Sequence, residues 1–145
     1  MNECDSYKQY LNQHGMKSTK QRNLLLLILK KIQVPQTAEK LYLIAKETDS
    51  SINLSTVYRV LEKFTEKKIT IRTSFLDDKS VYSLYPKTHQ HQLICLRCKK
   101  IVLLENCPLE AFQHSVEKST DFSIVNHRLE LYGYCRQCQK IIAAN

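Results

Sequence analysis

In the first part of the chain, apolar residues recur every three or four positions, which is the spacing of an amphipathic helix. The pattern predicts four helices, each with a polar face toward solvent. Thr19, Thr37 and Ser55 precede the second, third and fourth helices and are predicted N-caps, because a side-chain oxygen there can accept a free backbone N–H. The apolar faces are carried by Tyr7, Tyr10 and Leu11; by Leu24, Leu25, Ile28, Leu29 and Ile32; by Leu41, Ile44 and Ala45; and by Val57, Val60, Leu61 and Phe64.

The spacing of apolar residues changes after the fourth helix. ITIRTSF (69–75) and SVYSLY (80–85) alternate with a period of two and predict strands, and LDDK (76–79) between them predicts a tight turn. Helices followed by such a hairpin are typical of a winged helix-turn-helix, with the fourth helix as the recognition helix. We therefore expect a DNA-binding domain over residues 1–85.

A second, smaller domain is predicted over residues 89–145, after a hinge at residues 86–88. HQLIC (91–95) and KIVLLE (100–105) read as strands, a helix is expected from Pro108 to Thr120, and FSIVNHRLELYGYC (122–135) alternates like one long strand. The predicted fold class is α+β: an N-terminal winged helix-turn-helix followed by a small C-terminal α/β domain. A second copy of the chain would cover the exposed sheet edges of the small domain, which makes it a candidate dimerisation domain.

Positive charge is concentrated in the N-terminal part. Residues 1–88 hold 15 Lys/Arg against 9 Asp/Glu, a net charge of +6, whereas residues 89–145 carry +2. This balance favours a nucleic-acid partner, although a solvated lysine-rich surface would give the same charge. The longest apolar run, Leu24 to Leu29, is far shorter than the roughly 20 residues that span a bilayer, and no secretory signal is visible. We expect a cytoplasmic protein with no membrane partner.

Two CxxC motifs carry the strongest chemical signal. Cys95-Leu-Arg-Cys98 and Cys135-Arg-Gln-Cys138 are separated by 36 residues. A two-residue spacer lets both sulfurs turn toward one ion, and two such pairs complete the tetrahedral sulfur shell that suits zinc. A closed shell leaves no coordination position for catalysis, so the predicted Zn²⁺ is structural. The alternatives are a redox dithiol and buried free thiols.

The histidines suggest a second metal site. His89 and His91 would point to one face of a strand, and His127 and Glu110 lie on neighbouring predicted elements. Three imidazoles and a carboxylate suit zinc or ferrous iron. Four surface residues that never meet would give the same spacing. Cys107 is a further candidate ligand.

Polar residues in the first turns of the predicted recognition helix can reach phosphates and base edges in a major groove. They are Ser55, Thr56, Tyr58 and Arg59. Lys17 and Arg22, which flank the start of the second helix, can contact the minor groove or phosphates. An ordinary amphipathic helix with polar residues outward is the alternative, and the hairpin that follows argues against it.

Taken in order, GMKSTKQR, NLSTVYRVLEKF, HQHQLICLRC and FSIVNHRLELYGYC-x-x-C resemble the ferric uptake regulator family, from about Gly15 to Cys138. The resemblance implies a homodimeric, metal-responsive bacterial repressor that binds a palindromic operator in double-stranded DNA and controls metal-uptake genes, with no small-molecule substrate. It implies structural zinc at the four CxxC cysteines. It also implies DNA contacts by Tyr58 and Arg59 and a minor-groove contact by Lys17, and it supports the second site at His89, His91, Glu110 and His127.

The chain also departs from the family pattern. Gln90, Gln92 and Leu103 stand where members commonly carry ligands of an interdomain sensing site, Ser83 stands where the wing often supplies one, and residues 35–37 lack the usual N-terminal ligand. The resemblance therefore implies that this interdomain site is dismantled. Sensing would then rest on the surviving histidine site.

The segment ENCPLE, with Cys107, is similar to zinc-responsive family members of Gram-positive bacteria, which favours Zn²⁺ over Fe²⁺ or Mn²⁺ as the second divalent metal. Two other functions stay open at this point. One is a DNA-binding regulator that carries only the structural zinc and does not respond to metal. The other is a zinc enzyme with Glu110 as general base.

Overall fold

The computed structural model describes residues 3–74 and 78–144, with side chains from Ser6 onward. The chain divides into two compact units between Pro86 and Lys87. Across the described residues, every helix is too short or too polar to cross a membrane. The architecture is α+β, as predicted, with a helical N-terminal unit that carries a wing and a mixed C-terminal unit.

The first unit packs helices against a small antiparallel sheet. Its strands lie in the order β1-β3-β2, and β3 therefore pairs with both neighbours. Among the residues that the structure describes, the fully buried side chains of this unit come from its helices and the start of its second strand, among them Leu11, Leu25, Leu41, Phe64 and Thr70. The elements are α1 (Glu3–Gln13), α2 (Lys20–Ile32), β1 (Gln36–Thr37), α3 (Ala38–Thr48), α4 (Leu54–Glu66), β2 (Thr70–Ser74) and β3 (Ser80–Leu84).

Two of the three predicted helix caps are confirmed. The Thr19 hydroxyl accepts the backbone N–H of Arg22 at 3.3 Å, and the Thr37 hydroxyl accepts that of Lys40 at 3.2 Å. The prediction for the fourth helix is wrong: Asn53, not Ser55, is its N-cap. The Asn53 side-chain oxygen accepts the backbone N–H of Thr56 at 2.9 Å, and the Ser55 hydroxyl donates to the same oxygen at 2.7 Å.

The cap assignment predicts a difference between two variants. Asn53→Ala removes the acceptor for the first turn of α4 and should lower the free energy of unfolding by about 1 kcal/mol. Ser55→Ala keeps that acceptor and replaces an exposed residue by the best helix former, so it should change stability by less than roughly 0.5 kcal/mol. Urea denaturation of both variants measures the difference. Equal losses would contradict the assignment.

The wing of the first unit follows the predicted hairpin. The strands predicted over 69–75 and 80–85 are confirmed within the described residues as β2 and β3, paired from Thr70 opposite Leu84 to Ser74 opposite Ser80, and residue 75 lies outside that range. The predicted turn at 76–79 begins outside the described residues. The two-residue strand β1 was not predicted. It pairs with the other edge of β3, with Gln36 opposite Tyr82.

In its described residues, 87–144, the second unit has two helices and a sheet of three strands, β4 (His91–Cys95), β5 (Ile101–Leu104) and β6 (Glu130–Gly133), in the order β5-β4-β6. β4 runs antiparallel to β5 and parallel to β6. The long strand predicted over 122–135 is wrong, since only Glu130–Gly133 pairs and residues 121–129 form no regular element. The helix that follows was missed. The elements are β4 (His91–Cys95), β5 (Ile101–Leu104), α5 (Glu110–Thr120), β6 (Glu130–Gly133) and α6 (Arg136–Ala143).

The second unit buries very little of its apolar surface. Among its described residues, only His91, Ile94, Cys95 and Cys138 are buried. Large apolar side chains such as Phe112 and Val125 are 63% and 95% exposed, and no residue of α5 is buried. Three of the four buried residues carry metal-binding atoms, so the interior of this unit is made of candidate ligands.

Candidate metal centres and DNA-contact residues

The four CxxC cysteines converge on one point. Their sulfur atoms all lie within 4.8 Å of one another, and the Sγ atoms of Cys98 and Cys135 are 3.7 Å apart. Four sulfurs held about 2.3 Å from a zinc ion on a tetrahedron stand roughly 3.8 Å apart. All four are free thiols rather than disulfides. The predicted convergence is therefore present, and the spacing of the sulfurs fits tetrahedral coordination of one ion.

The sheet places the two cysteine pairs side by side. Cys95 ends β4, and the parallel register puts it opposite Gly133, two residues before Cys135. After Cys95 the chain turns back into β5 through Lys99, whose backbone is left-handed with a φ of 62°. The Lys99 backbone N–H donates to the Cys95 carbonyl at 2.9 Å and closes this turn. Cys135 is the N-cap residue of α6, and Cys138 lies buried in its first turn.

The surroundings of the sulfurs differ, and so do their pKa values. Backbone N–H groups, that of Cys135 first, lower the pKa of Cys95 to about 6. The Cys138 backbone N–H lowers the pKa of Cys135. Burial raises the pKa of Cys138 to about 12, because a buried thiolate loses its hydration. A zinc ion at the centre supplies the positive charge that a buried thiolate needs.

The donor set fits structural zinc. Four thiolates form a closed tetrahedral shell, which is the arrangement of structural rather than catalytic zinc sites. Such an ion would join the turn after β4 to the first turn of α6, in a unit whose described residues bury almost no apolar side chains.

A second cluster brings together three histidines and one cysteine. The ligand atoms of His89, His91, Cys107 and His127 lie within 4.8 Å of one another. The Nε2 atoms of His89 and His127 are 2.6 Å apart, and His91 Nε2 lies 3.1 Å from that of His89. Cys107 Sγ is 3.2 Å from the Nε2 atoms of both His91 and His127. The prediction that these histidines meet is therefore supported by the geometry.

Three different segments hold the cluster together. His91 is buried in β4, and His89 precedes it by two residues, so both rings reach the same face. Cys107 lies between β5 and α5, and His127 lies in the irregular segment before β6 rather than on a strand. Burial, followed by the neighbouring histidines, lowers the pKa of His91, which favours the neutral imidazole that binds metal.

One member of the predicted ligand set is replaced. Glu110 is exposed at the first residue of α5 and is not among the residues whose ligand atoms meet in this cluster. Cys107, three residues earlier, occupies the fourth corner. The sequence predicts Glu110 as the fourth ligand because it lies in the first turn of the helix between the histidines and carries a carboxylate. The chain instead brings the preceding loop to them, which changes the fourth donor from oxygen to sulfur.

The predicted DNA-contact residues lie near the starts of α2 and α4. Ser55 and Arg59 are exposed on α4, while Thr56 and Tyr58 are half-buried. The Tyr58 hydroxyl donates to the Glu39 carboxylate of α3 at 2.6 Å. Lys17 is exposed just before α2, and the Arg22 guanidinium donates to its backbone carbonyl at 2.7 Å. Glu39 was not among the predicted site residues, because nothing in its spacing links it to Tyr58, nineteen positions later.

Comparisons with known proteins agree with this arrangement. The model of the ferric uptake regulator family matches residues 13–132. The chain is similar to the ferric uptake regulation protein of Campylobacter jejuni, with 35% identity over 136 residues, 92% of this chain and 87% of that protein. The structure of this chain is similar to that of the Vibrio cholerae ferric uptake regulator, with a TM-score of 0.79 and 32% identity over 88% of this chain and 98% of that one. It is also similar to a zinc-bound manganese uptake regulator, with a TM-score of 0.77 and 30% identity over 92% of this chain and 99% of that one.

These similarities extend over both units and include the winged helical unit and the mixed dimerisation unit. Regulators of this family bind operator DNA as dimers and are not enzymes, which removes the zinc-enzyme alternative. The chain belongs to the ferric uptake regulator family, and it is a metal-responsive transcriptional regulator of metal uptake and homeostasis.

Proposed function

We propose that this protein is a zinc-responsive repressor, in which the four-cysteine site holds a structural zinc and the cluster of three histidines and Cys107 senses zinc. The observation that carries this proposal is the second cluster: four donor atoms from three segments of the chain lie within 4.8 Å of one another. A bound ion there would tie His127, in an irregular segment, to β4 and to the loop before α5. Metal binding would thus order the segment around His127 and the loop around Cys107, which have few buried residues to hold them in place.

The donor atoms favour zinc over iron or manganese. Three imidazoles and one thiolate on a tetrahedron around zinc stand roughly 3.3–3.6 Å apart. Four pairs of ligand atoms here are 3.1–3.2 Å apart, and the His89–His127 pair is closer, at 2.6 Å. Fe²⁺ and Mn²⁺ are usually held by more ligands, with oxygen donors among them, whereas thiolate suits zinc. Replacement of Glu110 by Cys107 in the ligand set moves the site in that direction.

The first unit is proposed to bind DNA through α4 and the start of α2. The contacts are assigned to Lys17, Arg22, Ser55, Thr56, Tyr58 and Arg59. Arg59 is exposed and its guanidinium bonds only weakly to the Ser55 carbonyl, at 3.4 Å, so it can turn toward a base edge. The second unit is assigned to dimerisation, which would present two copies of α4 to the half-sites of a palindromic operator.

DNA retardation with and without chelator tests this function. We expect zinc to promote binding of a duplex isolated by selection with the wild-type protein, and chelation to reverse it. Arg59→Ala should weaken binding roughly 10- to 100-fold, because a good base contact contributes about 1–3 kcal/mol. Lys118→Ala, which removes one exposed positive charge from α5, is the matched control and should change affinity by less than about twofold.

Two results of this experiment contradict the proposal in different ways. Retardation that is the same with and without chelator would make the protein a metal-independent regulator with structural zinc alone. Retardation that Arg59→Ala leaves intact would place the DNA contacts elsewhere than on α4.

A further inference from the structure

Tyr58 and Glu39 form a hydrogen-bonded pair on the face of the first unit that carries the N-terminal turns of α4. The phenol oxygen lies 2.6 Å from Glu39 Oε1, which is the short distance of a hydroxyl that donates to an ionised carboxylate. Glu39 is exposed in the first turn of α3, and Tyr58 is half-buried in α4. Arg72 and Lys79 of the wing are close enough to act on the pair electrostatically.

The proton of this pair stays on the tyrosine. The hydrogen bond to Glu39 raises the pKa of Tyr58 to about 12, and the hydrogen bond from Tyr58 lowers the pKa of Glu39. At neutral pH the phenol is therefore protonated and the carboxylate is charged. The single O–H of Tyr58 points at Glu39, and a bond to a charged acceptor is stronger than one to a neutral acceptor.

A phenol has one donor and two acceptor lone pairs. Because the donor is used within the protein, the Tyr58 oxygen offers only lone pairs to anything else that approaches. The second oxygen of Glu39 is likewise an acceptor only. The pair therefore has no hydrogen bond to donate to a phosphate, and the negative charge of the Glu39 carboxylate repels a phosphate.

We propose that Glu39 restricts the Tyr58 oxygen to accepting hydrogen bonds from base edges. Tyr58 therefore selects a base with an amino group in the major groove, namely adenine or cytosine, over guanine or thymine. In that groove adenine N6 and cytosine N4 are the donors, while guanine and thymine present acceptors at the corresponding positions. Glu39 acts here as a positioning residue that fixes the direction of the Tyr58 hydrogen bond. The inference rests on the proposed role of α4 as the recognition helix.

Selection from a library of random duplexes with the full-length, zinc-loaded protein tests this inference. The readout is base preference, position by position within the half-site, for wild type, Glu39→Ala and Tyr58→Phe. Wild type should favour adenine or cytosine at one position by about 2- to 10-fold, the contribution of one hydrogen bond. Glu39→Ala should lose that preference and admit guanine or thymine, because the freed hydroxyl can donate. Tyr58→Phe should have no preference at the same position.

Glu47→Ala is the matched control, since Glu47 is an exposed carboxylate of the same helix and its removal changes the net charge equally. It should keep the wild-type preference. If Glu39→Ala and Glu47→Ala both select the wild-type sequence, the inference is overturned while DNA binding stands. If wild type enriches no sequence, the proposed function fails and this inference fails with it.

Discussion

Cys98→Ser is expected to abolish binding of the structural zinc and to unfold the second unit. Serine has nearly the same shape as cysteine, so packing is preserved, and only the sulfur ligand is lost. Because Cys98 is exposed, no apolar burial changes either. The described residues of this unit bury only His91, Ile94, Cys95 and Cys138, so no apolar core remains to hold the fold without the ion.

The measurements are zinc content after dialysis, native mass and thermal unfolding. Wild type should retain one tightly held zinc per protomer at the cysteine site. The variant should retain none there, run as a monomer, and show the transition of the second unit at least about 10 °C lower, or no such transition. Ser115→Ala, on the exposed surface of α5, is a control that should behave as wild type. A Cys98→Ser protein that kept its zinc and its dimer would refute the structural role.

His127→Ala and Cys107→Ser are expected to remove the second zinc without unfolding the protein. Each variant takes away one of four ligands, and the affinity of the site should fall by more than roughly 100-fold, since losses of 10- to 100-fold follow removal of supporting groups alone. His127 lies in an irregular segment and Cys107 in a loop, so neither change disrupts a helix or strand. Competition with a coloured chelator measures the affinity, and DNA retardation measures the lost response.

Two variants separate the ligand set from its surroundings. His114→Ala removes an exposed histidine that lies 3.5 Å from the Glu117 carboxylate on α5, outside the cluster, and should leave the second zinc in place. Glu110→Gln should do the same, because Cys107 holds the fourth corner. If Glu110→Gln released the second zinc and Cys107→Ser did not, the ligand set assigned here would be wrong.

Local signals along the chain predicted a large part of the fold. The sequence predicts Thr19 and Thr37 as caps because each hydroxyl precedes an apolar face with helical spacing, and both accept the expected backbone N–H. The two CxxC motifs predicted a common site, because a two-residue spacer fixes the direction of both sulfurs. A cap and the spacing within one CxxC motif each depend on a few neighbouring residues, and the pairing of the two motifs follows from the four ligands that a zinc site needs.

Features that depend on distant partners were missed. The alternation over 122–135 predicts a strand, but only Glu130–Gly133 lies beside β4 and can pair with it. Strand β1 is two residues long and exists because β3 offers a free edge, which no local pattern reveals. Helix α6 begins at the second CxxC motif. Cys138, Ile141 and Ile142 have the spacing of a helical face, but this helix was missed because Cys138 was assigned only as a zinc ligand.

The ligands of the second metal site likewise include some that local spacing predicts and one that depends on the folded unit. His89 and His91 share one face of a strand, so their approach was predictable from a period of two. The choice between Glu110 and Cys107 depends on how the loop after β5 is placed, which is a property of the folded unit. Similarly, Asn53 and Ser55 are both good cap residues, and only the path of the chain into α4 decides between them.

In the function proposed here, zinc bound by the cluster of His89, His91, Cys107 and His127 controls DNA binding. The most direct measurement follows DNA affinity by fluorescence anisotropy while zinc is added stepwise to metal-free protein in a chelator buffer. The first equivalent per protomer should fill the cysteine site, fold the second unit and leave DNA affinity low, and the second equivalent should raise DNA affinity steeply. A DNA affinity that is already maximal after one equivalent, or that zinc never changes, would contradict the claim.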